Sequence, residues 1–224
     1  MTFFDRLRDD TATERQSLLG APLIQRCLGN GQFTLSDYVA FLTEAFHHVR
    51  HTVPLLMAVG SRLPPEKESF RVAIAEYIEE ELGHQEWILN DIAACDADAD
   101  AVRHGQPNAA TELMVSYAYD TVMRRNPMGF FGMVFVLEGT SISLATRVAE
   151  IIQQRLKLPT KAFSYLRSHG SLDQEHMVFF EKLMNTVEDP RDRADIVHAA
   201  RRFFQLYGDI FRSIDGAAAA PRAA

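Results

Sequence analysis

The chain has 224 residues, with 23 basic and 30 acidic side chains and a formal net charge of −7. This acidic balance argues against a nucleic-acid-binding function, which needs a concentrated basic surface. Hydrophobic residues make up 47% of the chain and charged residues 24%, values that are typical of a globular domain and exclude disorder for its bulk.

Membrane and secretory signals are missing from the sequence. No run of about 18 uncharged apolar residues occurs, so we expect no membrane partner. The first residues lack the basic and apolar regions of a secretory signal, and the only cysteines are Cys27 and Cys95. Two cysteines make neither a disulfide framework nor a thiolate metal site, and they suit a reducing compartment. We therefore expect a cytoplasmic protein.

Helical periodicity runs through most of the chain, and Pro, Gly and Asn residues separate the helical stretches. The predicted helices cover about 3–19, 22–28, 36–62, 66–94, 108–125, 127–158, 160–187 and 190–214. Either Thr34 or Ser36 is the predicted N-cap of the third helix, Pro54 is expected to kink it, and Asp189 is the predicted N-cap of the last. Long helices with short connections pack best as an antiparallel bundle. We predict one all-α domain of seven or eight helices over residues 1–215, with a disordered tail over residues 216–224.

A lone carboxylate lies in the most apolar of these helices. Glu138 is the only charged residue in the segment 129–145, and the positions one turn away on its face include Val134, Phe135 and Ile142. Burying an ionised carboxylate in such surroundings costs several kcal/mol of folding free energy, unless the group is protonated, paired or bound to a metal. Glu138 is therefore a candidate metal ligand, and a protonated or arginine-paired structural glutamate is the alternative.

A second polar pair lies in the helix predicted over residues 66–94. Glu81 and His84 fall within a stripe of isoleucines, three residues apart and hence on one helical face. Glu-x-x-His is the pair with which helical bundles build carboxylate-bridged di-iron sites. The spacing also occurs by chance on solvated helix faces, so the inward placement carries the hypothesis. The neighbouring Glu79 and Glu80 are predicted to face solvent more.

A third group lies in the helix predicted over residues 160–187. His169, Asp173 and His176 have the offsets 0, +4 and +7, which place them on one helical face between apolar residues. Imidazole and carboxylate suit iron or manganese, and the lack of thiolate argues against structural zinc. The alternative is a pair of core histidines with Asp173 as their hydrogen-bond partner.

Together, the three segments supply three histidines and three carboxylates. Three carboxylates cancel much of the charge of two divalent cations, so one di-metal site would account for all the buried ionisable groups at once. A competing pair, Glu44 and His47, has the same spacing on a less apolar face, and periodicity leaves both its metal-binding and its structural interpretation open. Aromatic and imidazole residues near these faces are candidate pocket residues, with core packing as the alternative: Tyr77, Phe41, His48, Phe131, Phe135 and Tyr165.

The motif Glu-Glu-Glu-Leu-Gly-His at 79–84, the lone Glu138 and the His-x3-Asp-x2-His segment at 169–176 resemble the haem-oxygenase-like di-metal oxidases. That superfamily also contains TenA-type thiaminases. The resemblance implies a haem-oxygenase-like bundle, often dimeric, with Glu138 bridging two metal ions. It implies six ligands for two Fe(II) ions, with Glu80 as the reserve for Glu81: Glu81, His84, Glu138, His169, Asp173 and His176. The same ligand set accepts manganese.

The resemblance also implies an oxidase or oxygenase that uses dioxygen on a small organic substrate of the fatty acid, amino acid or aromatic acid class.

A TenA-like hydrolase is an alternative, but it needs an activated cysteine, and the acidic loop beside Cys95 would raise the pKa of its thiol. A haem-binding protein would need one axial histidine and would leave Glu81 and Glu138 unexplained. A metal-free regulatory protein would bind no metal tightly. As partners we expect the substrate, dioxygen and a second copy of the chain.

Overall fold

The computed structural model describes residues 1–29 and 32–217, including their side chains except those of residues 169–176 and 215–217. The α-helices are α1 (Phe3–Asp10), α2 (Ala12–Leu19), α3 (Pro22–Leu28), α4 (Leu35–Val49), α5 (Thr52–Arg62), α6 (Glu68–Glu81), α7 (His84–Ala94), α8 (Ala99–His104), α9 (Ala109–Arg124), α10 (Phe130–Leu156), α11 (Ser164–Asn185) and α12 (Pro190–Ala217). Short 3₁₀ turns at Pro65–Lys67, Pro127–Gly129 and Thr160–Phe163 lead into α6, α10 and α11. The described residues contain no β-strand, so the predicted all-α class is confirmed.

Two predicted helix starts are confirmed by their capping hydrogen bonds. Thr34, rather than Ser36, is the N-cap of α4: its hydroxyl accepts the Asp37 N–H at 3.2 Å, and the Asp37 carboxylate accepts the Thr34 N–H at 2.8 Å. This reciprocal pair satisfies two N–H groups at the start of the helix. Asp189 accepts the Arg191 N–H at 2.8 Å where α12 begins.

The kink predicted at Pro54 is instead a break one turn earlier. Helix α4 ends at Val49 and α5 begins at Thr52, so Pro54 is the third residue of α5. In a continuous helix, Pro54 could not donate to the carbonyl of Arg50, and its ring would collide with that carbonyl. In the first turn of α5 its missing N–H needs no partner, so the chain stops one helix and starts another.

Other predicted helices are also divided, which gives more and shorter helices than the predicted seven or eight. The predicted helix 3–19 is interrupted at Thr11, the helix 66–94 is interrupted at Leu82 and Gly83, and the predicted loop 96–106 contains α8. Helix α12 continues to Ala217, two residues into the predicted tail. Residues 218–224 lie outside the described residues, so the disordered tail stays a prediction.

Helix α10 is the central element and packs mainly against α11 and α12. The backbones of α10 and α12 approach each other closely at Gly132. A Cβ atom added to Gly132 would lie 2.6 Å from both the Ala200 nitrogen and the Ile196 oxygen, so only glycine fits at this crossing. Around it, Phe131 and Phe203 are almost completely buried, and each such side chain contributes about 1.5–3 kcal/mol of burial free energy.

Helix α10 with its 3₁₀ turn, Pro127–Leu156, is long and apolar enough to cross a membrane by length and composition alone. Of its most apolar window, 61% is buried inside the protein. The core helix of a globular protein meets the same criteria, so this is weak support for a membrane span. The absence of a membrane partner stays a prediction.

Candidate functional site

A cavity of about 150 Å³ lies along α10, from Phe130 to Ile152. The cavity-facing positions of α10 recur every three or four residues, so one apolar stripe of this helix forms its longest wall. Residues of α3, α4, α5, α6, α11 and α12 provide the other walls. Its described lining carries three acidic or basic side chains, His48, Glu81 and Glu138, and no lysine or arginine. The cavity is therefore mainly apolar, with a few polar groups that could fix a ligand's orientation.

Glu81 and His84 are brought together, although not on one continuous helix as predicted. Glu81 is the last residue of α6 and His84 is the first residue of α7. Between them Gly83 has φ +89°, a left-handed conformation that glycine adopts without strain. The turn exposes Leu82 and places Oε2 of Glu81 3.0 Å from Nδ1 of His84. In this arrangement a metal would bind His84 through Nε2, and the Glu81 carboxylate would have to turn away from Nδ1 to become a ligand of the same ion.

Glu81 lines the cavity and is half-buried, whereas the neighbouring Glu80 is exposed. This difference favours Glu81 over Glu80 as a ligand. Glu138 lines the same cavity from α10 and is also half-buried. Tyr77, one turn before Glu81, is buried in the cavity wall with its ring edge against Phe179, at 6.1 Å between ring centroids. The two carboxylates thus border one cavity from two different helices.

The third predicted group falls on α11. The side chains of His169, Asp173 and His176 lie outside the described residues, so their assignment as ligands stays a prediction. Among the side chains that the structure describes, no three His, Cys, Asp or Glu residues form a metal-binding cluster. Of the described candidates, Glu81 and Glu138 line the cavity, whereas His84 lies beside Glu81 but does not line it.

In the competing pair, Glu44 and His47, the carboxylate of Glu44 has a structural role. Glu44 accepts a hydrogen bond from the Thr111 hydroxyl at 2.6 Å and one from the Asn108 N–H at 3.2 Å. Both donors belong to the start of α9, where a carboxylate satisfies unpaired N–H groups and complements the helix dipole. His47 is buried but does not line the cavity. Glu44 is therefore a buried helix cap, which supports the structural interpretation of this pair.

The candidate pocket residues divide into two groups. Tyr77, Phe41, His48 and Tyr165 line the cavity. Phe131 and Phe135 are buried in the core and do not line it, because they lie on the face of α10 that packs against other helices. The ring of Phe135, for example, stacks against Phe180 at 6.2 Å.

Residues 39–208, most of the chain, match the family of iron-containing redox enzymes. The chain belongs to this family. No curated protein matches the chain. This family assignment, together with the all-α bundle, confirms the predicted haem-oxygenase-like class.

Solved structures of haem-oxygenase-like and TenA-like proteins superpose on this chain over almost its whole length. A domain of unknown function from Shewanella denitrificans is 23% identical, with a TM-score of 0.86, covering 96% of this chain and 93% of that one. A TenA homologue from Pseudomonas syringae is 12% identical, with a TM-score of 0.81 and the same coverage. Haem oxygenase-1 from the cyanobacterium Synechocystis, in complex with haem, is 12% identical, with a TM-score of 0.76, covering 97% and 94%. These similarities show the shared fold.

One buried carboxylate of the chain was not predicted from the sequence. Asp91 on α7 is completely buried, and it accepts hydrogen bonds from the first residues of α11. The signal that identified Glu138 was available here too, because Asp91 lies beside Ile92 and one turn after Ile88, both fully buried. Burial raises the pKa of the Asp91 carboxyl, while its hydrogen bonds to Ser164 and Tyr165 oppose that rise.

Two histidines that do not line the cavity, His47 and His51, have lowered pKa values. Burial lowers the pKa of His47, and the positive charges of Arg50 and His51 lower it further. Burial and Arg50 likewise lower the pKa of His51, whose Nδ1 lies 3.2 Å from the Tyr119 hydroxyl. Both imidazoles therefore favour the neutral form in the folded protein.

We expect the metal-free protein to lose stability as the pH falls below about 6.5, the ordinary histidine value. Since the folded-state pKa values are depressed, the unfolded chain binds more protons in this window, so the free energy of unfolding rises with pH and falls with acid. Thermal melts from pH 8 to pH 5 measure this slope. His51→Gln should flatten it, whereas His104→Gln, at an exposed position, should not. An identical slope in the wild type and both variants would contradict the contribution of His51 to the pH dependence of stability.

Proposed function

We propose that the protein is a non-haem di-iron enzyme that uses dioxygen to oxidise a small organic substrate. The observation that carries this proposal is the pair of carboxylates, Glu81 and Glu138, on one mainly apolar cavity in a member of an iron-containing redox family. Iron binds carboxylate and imidazole ligands, and it is the metal that the family assignment supports for this pair.

The donor set fits iron. Glu81, His84 and Glu138 would hold the metals from α6, α7 and α10, and the predicted ligands His169, Asp173 and His176 would complete the site from α11. Bound iron would supply the activation of dioxygen. The turn at Gly83 places Glu81 beside His84, and the apolar cavity walls would bind the substrate and exclude water from it.

The cavity favours a substrate with an apolar body. Beyond Glu138, the wall formed by α10 continues through Leu144 and Val148 to Ile152, a distance of about 20 Å along the helix. With no lysine or arginine in the described lining, a substrate carboxylate would have His48 or a metal ion as its partner. Of the three expected substrate classes, fatty and aromatic acids therefore fit better than amino acids, whose polar groups would be buried against hydrocarbon.

Anaerobic titration with Fe(II) tests the proposal. We expect about two irons per chain, with Mn(II) competing for the same sites, and Fe-dependent oxygen uptake when fatty or aromatic acids are added. A Soret band on addition of haem, without Fe(II) uptake, would instead support the haem-binding alternative. Binding of neither would support a metal-free regulatory protein. Either outcome would overturn the di-iron proposal.

The TenA-like hydrolase is the second candidate, because Cys27 lines the cavity and a TenA homologue shares the fold. The thiol chemistry opposes it. Burial raises the pKa of the thiols of Cys27 and Cys95 to about 11, whereas a nucleophilic cysteine needs a depressed pKa.

We therefore expect the double variant Cys27→Ala, Cys95→Ala to retain the iron stoichiometry and the oxygen uptake of the wild type, within about twofold, because neither thiol is a ligand or a nucleophile. The measurements are the same Fe(II) titration and an assay of thiamin hydrolysis in both proteins. Thiamin hydrolysis in the wild type that disappears in the double variant would establish the hydrolase instead.

A further inference from the structure

The start of α11 is held by a side chain from another helix. Asp91, on α7, has no exposed surface. Its Oδ1 accepts hydrogen bonds from the Ser164 N–H at 2.9 Å and from the Ser164 hydroxyl at 2.5 Å. Its Oδ2 accepts the Tyr165 N–H at 2.9 Å. One carboxylate thus receives three hydrogen bonds from the first two residues of α11.

This contact replaces the usual local cap. Most helices are capped by the residue just before them, but at α11 that residue is Phe163, whose side chain has no acceptor. The acceptor comes instead from Asp91, more than seventy residues earlier in the chain. Hydrogen bonds to an ionised carboxylate are about twice as strong as neutral ones, and three of them define the position and the direction of the helix end. The cap therefore fixes α11 to α7.

The two helices joined in this way are the ones that carry the imidazole ligands of the proposed site. Helix α7 begins at His84, and Asp91 lies two turns later on the same face. Helix α11 continues from Tyr165, which lines the cavity, to the predicted ligand positions His169, Asp173 and His176. A change in the distance between α7 and α11 would therefore change the distance between the two halves of the metal site.

We propose that Asp91 is a positioning residue for the metal site: by capping α11 from α7, it sets the placement of His169, Asp173 and His176 relative to His84. This inference rests on the proposed di-iron function. It assigns Asp91 no contact with metal or substrate, and it predicts that the carboxylate acts on metal binding through the α11 backbone.

Titration with Co(II), with its visible absorption spectrum as the readout, tests the inference on Asp91→Asn. An asparagine at this position can accept from Ser164, but its NH₂ group would face the Tyr165 N–H, so one donor meets another. We expect at least one Co(II) to bind about 10- to 100-fold more weakly than in the wild type, the usual effect of losing a group that orients ligands. The spectrum of bound Co(II) should change as well.

Asp37→Asn is the matched control. Asp37 is also a buried carboxylate at a helix start, where it accepts hydrogen bonds from Thr34 and Arg26, but it caps its own helix, α4. It should lower the melting temperature without changing Co(II) affinity or spectrum. Equal weakening of metal binding in both variants would show a general effect of stability and overturn the inference, as would unchanged binding in Asp91→Asn.

If Asp91→Asn does not fold, Ser164→Ala is the deciding variant. It removes the hydroxyl bond to Asp91 and the longer hydroxyl contact with the Trp87 carbonyl, both of which join α11 to α7, and it keeps the two N–H bonds of the cap. Loss of one such bond should weaken Co(II) binding by about threefold or more. Unchanged affinity in Ser164→Ala would then overturn the inference. The two proposals fail in different ways. If the wild type binds no metal, both are overturned. If the wild type and Asp91→Asn bind two metals equally well, only the role of Asp91 is overturned.

Discussion

Replacing Glu138 with alanine is expected to abolish the binding of at least one iron per chain. Glu138 is the carboxylate that α10 contributes to the cavity, and the resemblance to di-metal oxidases assigns it the bridging position between the two ions. Without Glu138 the proposed site would lose one of its three carboxylates, and less negative charge would remain to offset the repulsion between two divalent cations. Anaerobic Fe(II) titration should give about two irons per chain for the wild type and one or fewer for Glu138→Ala.

Glu150→Ala is the control for this experiment, because Glu150 lies on the same helix at an exposed position. It should retain the full iron stoichiometry. If Glu138→Ala also retained it, the bridging assignment would be wrong and the half-buried carboxylate would be a structural feature of α10.

Gly132→Ala is expected to destabilise the fold by about 1–3 kcal/mol or more, although alanine is the better helix former. The new methyl group would lie 2.6 Å from backbone atoms of Ile196 and Ala200, which cannot move without shifting α12. Urea unfolding of the metal-free protein measures the change.

Gly139→Ala, seven residues later on the same helix, is the matched control. Among the side chains that the structure describes, its added methyl group would meet the Cε of Met177 alone, at an ordinary contact distance of 3.7 Å. It should therefore be neutral or stabilise the protein by up to about 1 kcal/mol. Similar destabilisation by both substitutions would contradict the close backbone crossing of α10 and α12.

Much of the helical pattern could be predicted from local chemistry. The apolar periodicity and the breakers predicted the all-α class, and the capping preferences of Thr34 and Asp189 predicted two helix starts. The breaks inside the predicted long helices were harder. Gly83 tolerates both helical and left-handed conformations, and which one it adopts depends on how α6 and α7 pack in the bundle.

The spacing correctly predicted that Glu81 and His84 lie close together. The backbone that brings them together, however, is a turn and not the predicted continuous helix. On a continuous helix the two side chains would be neighbours by rotation about one axis. In the structure the turn at Gly83 ends one helix and starts the next, and the two side chains meet across that turn. A spacing rule can therefore identify the pair without identifying the backbone that forms it.

The roles of buried carboxylates depend on tertiary neighbours that one sequence does not show. Glu44 and Asp91 both stand among apolar residues, as Glu138 does. The start of α9 lies against Glu44 and the start of α11 lies against Asp91, so both are helix caps. Glu138 instead borders the cavity. Periodicity identified Glu138 and Glu44 and could have identified Asp91, but only the packing separates caps from candidate ligands.

Anomalous diffraction at the iron edge, from crystals loaded with Fe(II) under anaerobic conditions, tests the central claim most directly. Two iron peaks are expected at the wall of the cavity along α10, close to Glu81, Glu138 and the adjoining His84, with the predicted ligands of α11 completing their coordination. Iron bound elsewhere on the protein, or an empty cavity at saturating Fe(II), would contradict it.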